Sequence, residues 1–441
     1  MTSTPKFKTQ GGLEVNYNRN KKLKQITPET LVVGIDIAKE KHVARAVDDR
    51  GYEFGKRLVF ENNITGFERL LAWVSEKQQA YEKTHVILGC EPTGHYWFNL
   101  AYFAKAKEIP FVVVNPMHVK KAKELDDNSP SKTDTKDAHV IAQLITDGRY
   151  AVPNLQEGVY AELREGLKIR DQLSKDLQII TGRIDNWLDR YFPEFRRVFK
   201  DWDGKAAWYT LSHFPLPAEV TAISAEDLVR EWKQVAQRGI GIKRAHTLRQ
   251  AAERSIGLTV GTRMAKRALQ SLLKQYEHLQ ESIASIDEEM EQLVKVIPGT
   301  EEMIAMKGVN VLTVATFFGE VGDIAHYEHP RQIQRLAGLS LTVHQSGKCK
   351  GQTHITKRGR RRLRKALYLV VRPLVVHNAA FKALHEYYTT RQEHPLKKQE
   401  SLIALSCKLI RVFFAMAKKR YRFDGEKMLR DMPQFSIQGA A

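Results

Sequence analysis

Cysteine is scarce in this 441-residue chain. Cys90, Cys349 and Cys407 are odd in number, far apart and form no C-x-x-C pair, which excludes a disulfide framework and a thiolate zinc site and points to a reducing compartment. Long apolar runs are missing too. The stretch from Ala366 to Val376 is broken by Arg372 and Pro373, and the N-terminus is basic without an apolar h-region, so neither a signal peptide nor a membrane span is expected, and the expected location is cytoplasmic. Gly (27) and Pro (15) are too few for a collagenous or low-complexity chain, and 42% apolar residues suffice for packed cores. Acids are outnumbered, 51 against 70 Lys and Arg, and the resulting +19 favours a polyanionic partner through counterion release, nucleic acid first. No G-x-x-x-x-G-K-[ST] loop and no G-x-S-x-G elbow is present, so neither nucleotide-driven nor hydrolase-elbow chemistry is encoded.

The length implies several domains. Residues 1–30 are polar and basic, with Lys21, Lys22 and Lys24 close together, and read as a flexible arm. From Leu31, three β-rich runs (Leu31–Ala38, His42–Val47, Tyr52–Phe60) predict an antiparallel meander. A helix over Ile64–Gln79, a strand over Val86–Cys90, a helix over Trp97–Lys107, a strand over Phe111–Val114 and a helix over Met117–Leu125 follow, so 31–155 is expected to form an α/β domain in ribonuclease-H-like order. In 156–298 the period is that of coiled coils: Leu173, Leu177, Ile180, Ile184, Trp187 and Tyr191 form one seam. Leu269, Leu272, Tyr276, Leu279, Ile283, Ile286, Met290, Leu293 and Ile297 form a second, with an irregular insert at 200–261 between them. The two helices can pair with each other or with another subunit. A mostly helical domain is expected at 299–425 and a tail at 426–441. From His329 through His385 there is no acidic residue while Lys and Arg number thirteen, a one-sided run that reads as a phosphate-facing surface.

Four acids sit where chemistry is expected. Asp36 ends an apolar strand in Gly34-Ile35-Asp36-Ile37-Ala38, and Glu91 ends another in Gly89-Cys90-Glu91-Pro92-Thr93-Gly94. Asp134 and Asp137, in Lys132-Thr133-Asp134-Thr135-Lys136-Asp137-Ala138, share one helical face by their spacing of three. Carboxylates at the ends of buried strands cost desolvation energy, and four converging would repel without a cation, which points to a divalent-metal site. Oxygen ligands without Cys or His favour Mg²⁺, with Mn²⁺ as a substitute, and two such ions roughly 4 Å apart suit in-line phosphoryl transfer. Taken singly, each acid reads equally well as a turn residue or a helix-terminal one.

Ser346 lies in His344-Gln345-Ser346-Gly347-Lys348, after Ala337-Gly338-Leu339 and before Ile355-Thr356-Lys357-Arg358-Gly359-Arg360-Arg361-Arg362-Leu363-Arg364. The cations Lys348, Lys350, Lys357, Arg358, Arg360, Arg361, Arg362 and Arg364 suit phosphate oxygens. From the residues alone Ser346 is a nucleophile or an ordinary turn serine, His344 and His354 are bases or surface histidines, and Cys349 is a structural thiol. Ile304–Asn310 leads into Leu312–Phe318 as an αα-hairpin whose glycine turn binds phosphate or packs between helices.

At these motifs the chain resembles the DEDD-type insertion-sequence transposases related to pilin-gene invertases, a family that includes bridge-RNA-guided serine recombinases. The resemblance spans about Leu31 to Tyr421. It implies a RuvC-like N-terminal domain in which Asp36, Glu91, Asp134 and Asp137 hold Mg²⁺. It also implies a helical C-terminal domain whose serine, here Ser346, attacks DNA to give a 5′-phosphoserine. Dimers assembling to tetramers, donor and target DNA, a noncoding guide RNA, and a bacterial or archaeal nucleoid-associated setting are implied in the same way. Two other functions fit the residues: a RuvC-type endonuclease using metal-activated water, and a nonenzymatic architectural nucleic-acid-binding protein.

Overall fold

The computed structural model describes residues 9–10, 13–14, 19–126, 134–238, 240–342, 345–346, 349–350 and 354–430, with side chains undescribed at 9–10, 13–14, 125–126, 134–135, 345–346 and 349–350. The chain divides into two compact units, Met1–Gln156 and Glu157–Ala441.

The first unit is built on a six-stranded sheet. β1 (Thr30–Asp36), β2 (Lys41–Val47), β3 (Leu58–Glu61), β4 (His85–Cys90), β5 (Phe111–Val114) and β6 (Tyr150–Ala151) lie in the order β3-β2-β1-β4-β5-β6. β1 to β3 form the expected antiparallel meander, β4 and β5 add in parallel with β1, and β6 closes the far edge antiparallel. Sequence reading missed β6, which is two residues long. It also drew the third strand too long: left-handed Gly51 and Gly55 (φ +90° and +74°) turn the chain before Leu58. β1 is buried on both faces, so its apolar residues run on without alternation. Leu31, Val33 and Ile35 pack under α1 (Ile64–Ala80) and α2 (Trp97–Ala106), while Val32 faces α3 (Pro116–Asp126) and α4 (Asp134–Thr146).

The arm is not loose throughout. Arg19–Leu23 is helical, Arg19 Nε donates to Asp147 O at 2.9 Å, Lys22 reaches Tyr150 O and stands over the Tyr150 ring, and Ile26 packs on the core. Reading this stretch as a flexible arm overlooked that a lysine stem can lie along apolar surface.

In the second unit α5 (Gly158–Tyr191) carries the chain out to a cap. The cap contains α6 (Lys205–His213), α7 (Pro217–Ala222), α8 (Ala225–Val235) and α9 (Ile242–Glu253), and α10 (Thr262–Val296) returns. α5 and α10 pair with each other: Trp187 Nε1 donates to Ala265 O at 2.8 Å near one end and Arg170 bridges to Asp287 near the other, so they run antiparallel. The seam departs from the expected one at the tip, where Leu273 is buried in place of Leu272. The supposedly irregular insert is helical, with a core of Phe192, Phe195, Phe199, Trp202, Leu228 and Trp232 shared with the hairpin tip. Sequence reading finds one of its helices, expected at 225–237 and observed at Ala225–Val235; the short apolar spacings of the others hid them from a search for long periods.

The hairpin base joins a separate core with α11 (Val311–Val321), α12 (Pro330–Leu336), α13 (Arg361–His377), α14 (Ala379–Thr390) and α15 (Lys398–Lys419). Gly308 (φ +99°) sits against the backbone of Pro373 and Leu374, so the glycine turn before α11 is a packing turn.

Candidate active site and nucleic-acid interface

Asp36 and Glu91 follow one another at the same sheet end. β1 and β4 are neighbours in parallel with Ile35 opposite Cys90, and the two acids are the last residue of one strand and the first beyond the other. Their charges converge on Cys90, whose thiol is pushed well above its ordinary pKa by burial, then by Glu91 and Asp36. Glu91 Oε1 also accepts a hydrogen bond from Thr93 Oγ1 at 3.2 Å.

Two glycines bring the third acid to this end. A Cβ on Gly34 would meet Ala138 O at 2.1 Å and Ala142 N at 2.5 Å, so α4 lies directly on β1, and Asp137 in its first turn is carried to the strand's carboxyl end. Gly89 admits Ile145 of the same helix in the same manner, its missing Cβ lying 2.5 Å from Ile145 Cδ1. Asp137 is 6% exposed. Its Oδ2 pairs with Lys123 Nζ at 2.5 Å, and its Oδ1 is buried without a hydrogen-bond partner among the described residues. The helix N-terminus favours negative charge there, but an uncompensated carboxylate oxygen in a protein interior is costly unless something binds it. That orphan oxygen, together with an all-oxygen donor set, fits a hard divalent cation.

Asp134 opens α4, and its side chain lies outside the described residues. Among the described residues no three His, Cys, Asp or Glu side chains close into a metal-ligating group. Sequence reading missed Lys123, which is indistinguishable there from other lysines of α3. It also missed His42, whose Nδ1 accepts from Ala38 N at 3.2 Å and so braces the loop after Asp36. Burial lowers the His42 pKa, opposed by the neighbouring Asn62 side chain, in an apolar setting against Phe60 and Phe67.

Ser346 belongs to a two-tier antiparallel hairpin in the second unit. β7 (Leu341–Thr342) pairs with β10 (His354–Ile355), and further out β8 (Gln345–Ser346) pairs with β9 (Cys349–Lys350), placing the backbone of Ser346 opposite Cys349. The side chains of Ser346, Cys349 and Lys350, and all of His344 and Lys348, lie outside the described residues. The root of the hairpin is tightly made. Gly338 (φ +68°) ends α12, Lys357 N donates to Gly338 O at 3.0 Å, Arg360 N donates to Leu336 O at 2.7 Å, and a Cβ on Gly359 would strike Leu336 O at 2.3 Å. The Ala-Gly-Leu and Lys-Arg-Gly-Arg motifs are therefore the two sides of one joint.

The basic run separates into two groups. Lys357, Arg358 and Arg361 are exposed, as is Lys365, which sequence reading did not single out. Arg360, Arg362 and Arg364 instead serve the fold. Arg362 Nη1 meets Glu320 Oε1 at 2.9 Å and its Nε meets Asp171 Oδ2 at 2.6 Å; Arg360 donates to Glu320 O and faces Oε2 at 3.8 Å; Arg364 Nη1 donates to Ala337 O at 2.9 Å and Lys357 O at 3.2 Å. Burial, then the like charge of Arg164, lowers the Arg360 pKa, opposed by Glu320 and Tyr327. Two of the three, Arg360 and Arg362, answer Glu320, an acid 4% exposed within apolar α11 that requires internal cations.

Comparison with known proteins bears on the same motifs. A transposase model of the DEDD IS110 type matches 33–193, and a model of the transposase IS116/IS110/IS902 family matches 301–386, between them more than half of the chain. The chain belongs to this transposase family. An IS116 insertion-element protein of 44.8 kDa from Streptomyces clavuligerus is 24% identical over 89% of this chain and 95% of its own length. The pilin gene-inverting protein of Moraxella bovis is 22% identical over 89% and 97%, and the transposase for IS1111A of Coxiella burnetii is 23% identical over 81% of each. This family member is accordingly a DNA transposase or site-specific recombinase. Among its described residues no single helix is long and apolar enough to cross a membrane.

Proposed function

We propose that this family member cuts and rejoins DNA through Ser346, with Mg²⁺ held by Asp36, Glu91, Asp134 and Asp137, in an RNA-guided recombination. The observation that carries the metal half is the orphan Oδ1 of buried Asp137 beside the sheet end bearing Asp36 and Glu91. When bound, the metal would supply Lewis-acid polarisation of a phosphate oxygen. The strand order, meander then parallel strands, supports a ribonuclease-H-like domain.

Ser346 Oγ forms the bond to the scissile phosphorus while the bond to the 3′-oxygen breaks. The serine proton is taken up by a base, and the 3′-oxygen leaves as a hydroxyl. In the reverse sense a 3′-hydroxyl attacks the phosphoserine and the serine is regenerated, so phosphodiester energy is retained without a nucleotide. Exposed Lys357, Arg358, Arg361 and Lys365 follow the hairpin in sequence and suit the strand's backbone. Dimers assembling into tetramers would bring donor and target strands together, and the surplus of cations accommodates a guide RNA beside DNA.

The test uses the full chain, labelled duplex carrying the ends of its own element, and Mg²⁺. A detergent-resistant protein–DNA adduct is expected, absent in Ser346→Ala and reduced at least about a thousandfold in Asp137→Asn. An adduct surviving Ser346→Ala would remove Ser346 from the role, and hydrolysed ends without adduct would favour metal-activated water. Sequencing RNA co-purified with the protein tests the guide, and finding no RNA from beside the gene would reject it.

A further inference from the structure

The cap between the two matched segments carries a cleft of about 800 Å³ that neither family model covers. Its walls come from the Val198–Ala207 stretch and from Lys233–Arg238 with Arg244, and they present Lys200, Lys205, Lys233, Arg238 and Arg244 against a single acid, Asp201. Lys200, Lys205, Lys233 and Arg238 are exposed, and among the described residues no carboxylate lies within 4 Å of their charged groups. Arg244 stands over the ring of Phe199, 5.7 Å from its centroid, which fixes a guanidinium in the wall. The nine-residue helix α6 begins in the cleft at Gly204, which offers no capping side chain, so the first amides of Lys205, Ala206 and Ala207 add partial positive charge to that of the side chains.

The four exposed cations Lys200, Lys205, Lys233 and Arg238 around one concavity, with Asp201 the single acid in its lining, repel one another and weaken the cap unless further counter-charge fills it. A surface selected for solubility alone would mix signs. At about 800 Å³ the cleft has more room than a single anionic side chain fills, and its cations come from two separate stretches of chain, which suits a run of backbone phosphates.

We infer that the cap cleft is a binding site for a nucleic-acid phosphodiester backbone, separate from the Ser346 hairpin. It rests on reading the chain as a nucleic-acid enzyme but not on the chemistry assigned to Ser346 or to the acids. Non-bridging oxygens are held by Lys200, Lys205, Lys233 and Arg238, with the α6 amides turned to the same strand. DNA and RNA share this chemistry, and the experiment separates them.

The full-length protein is titrated by fluorescence anisotropy into a labelled hairpin RNA and, separately, a labelled DNA duplex, across a series of salt concentrations. Lys200→Glu/Lys205→Glu introduces acid at a helix N-terminus and a loop, where folding tolerates it. Lys233→Ala/Arg238→Ala alters the opposite wall. Lys175→Glu/Lys274→Glu, exposed on the hairpin arms, is the charge-matched control. Each cleft variant is expected to weaken binding about tenfold and to reduce the salt slope by about two, with the control much less affected. Ultraviolet crosslinks are expected on peptides spanning 198–207 or 233–244. A loss confined to RNA identifies the strand as RNA, and one confined to DNA identifies DNA. Unchanged affinity and slope with both probes, or equal losses in the control, would overturn the site. Adduct formation by Ser346 is scored separately, so its failure leaves the binding result interpretable.

Discussion

Both units of the molecule bury acids, and two of these, Glu320 and Asp137, are treated differently. Glu320 in the helical unit is 4% exposed and surrounded by the guanidiniums of Arg360 and Arg362; Asp137 in the α/β unit is 6% exposed and has one ammonium and one oxygen without a partner among the described residues. Burial alone therefore does not separate a structural carboxylate from one held for chemistry. What separates them is whether the fold saturates it. A saturated acid has no remaining capacity, while an unsaturated one is tolerated only where something else binds.

The contrast can be broken by substitution. Glu320→Ala strands two half-buried guanidiniums and is expected to cost about 2–4 kcal/mol, read by urea unfolding of the full chain; a cost below about 1 kcal/mol would mean the pair is not saturating. Gly34→Ala forces a methyl into the backbone of α4 and is expected to cost about 1–3 kcal/mol, with any Mg²⁺-induced rise in Tm falling because Asp137 moves with its helix; an unchanged Tm and an unchanged metal response would refute the close approach. Asp137→Asn is expected to change stability by less than about 1 kcal/mol in metal-free buffer, because the lost ion pair is offset by relief of an unsolvated charge, while abolishing the metal-induced rise. Smallest in stability is Arg361→Ala, expected within about 0.5 kcal/mol of the parent but lowering the salt slope of DNA binding by about one, whereas Arg362→Ala should unfold the helical unit more readily.

Much of the α/β unit was legible because its strands are buried, apolar and short, and those ending at Asp36 and before Glu91 lead into a carboxylate. Asp36 and Glu91 were found by their place after such strands. The glycines' role was not legible: Gly34 and Gly89 read as parts of motifs, and only the packing of α4 shows why no side chain fits there. In the helical unit the long heptads of α5 and α10 were plain, but their partner was not, since the same seam serves an intramolecular hairpin or a dimer. The internal pairing of Arg360 and Arg362 was not legible because sequence shows the cations of 329–385 without the acid these two answer, Glu320, which lies just outside that window. Lys123 left no signal, since an isolated lysine on a basic helix becomes informative only when a buried carboxylate faces it.

The cap leaves and rejoins the hairpin at one place. Leu258 N donates to Arg190 O at 2.8 Å, and a Cβ on Gly257 would meet Tyr191 O at 2.2 Å, so the two ends of the intervening chain meet each other. Topologically it is a detachable head on a two-strut mast, exchangeable over time without rethreading either struts or base. Yet Trp187, Leu269 and Tyr276 at the mast tip are buried only by contributing to the head's core. Any replacement must therefore bring its own greasy underside, and simple loss of the head would leave a sticky end.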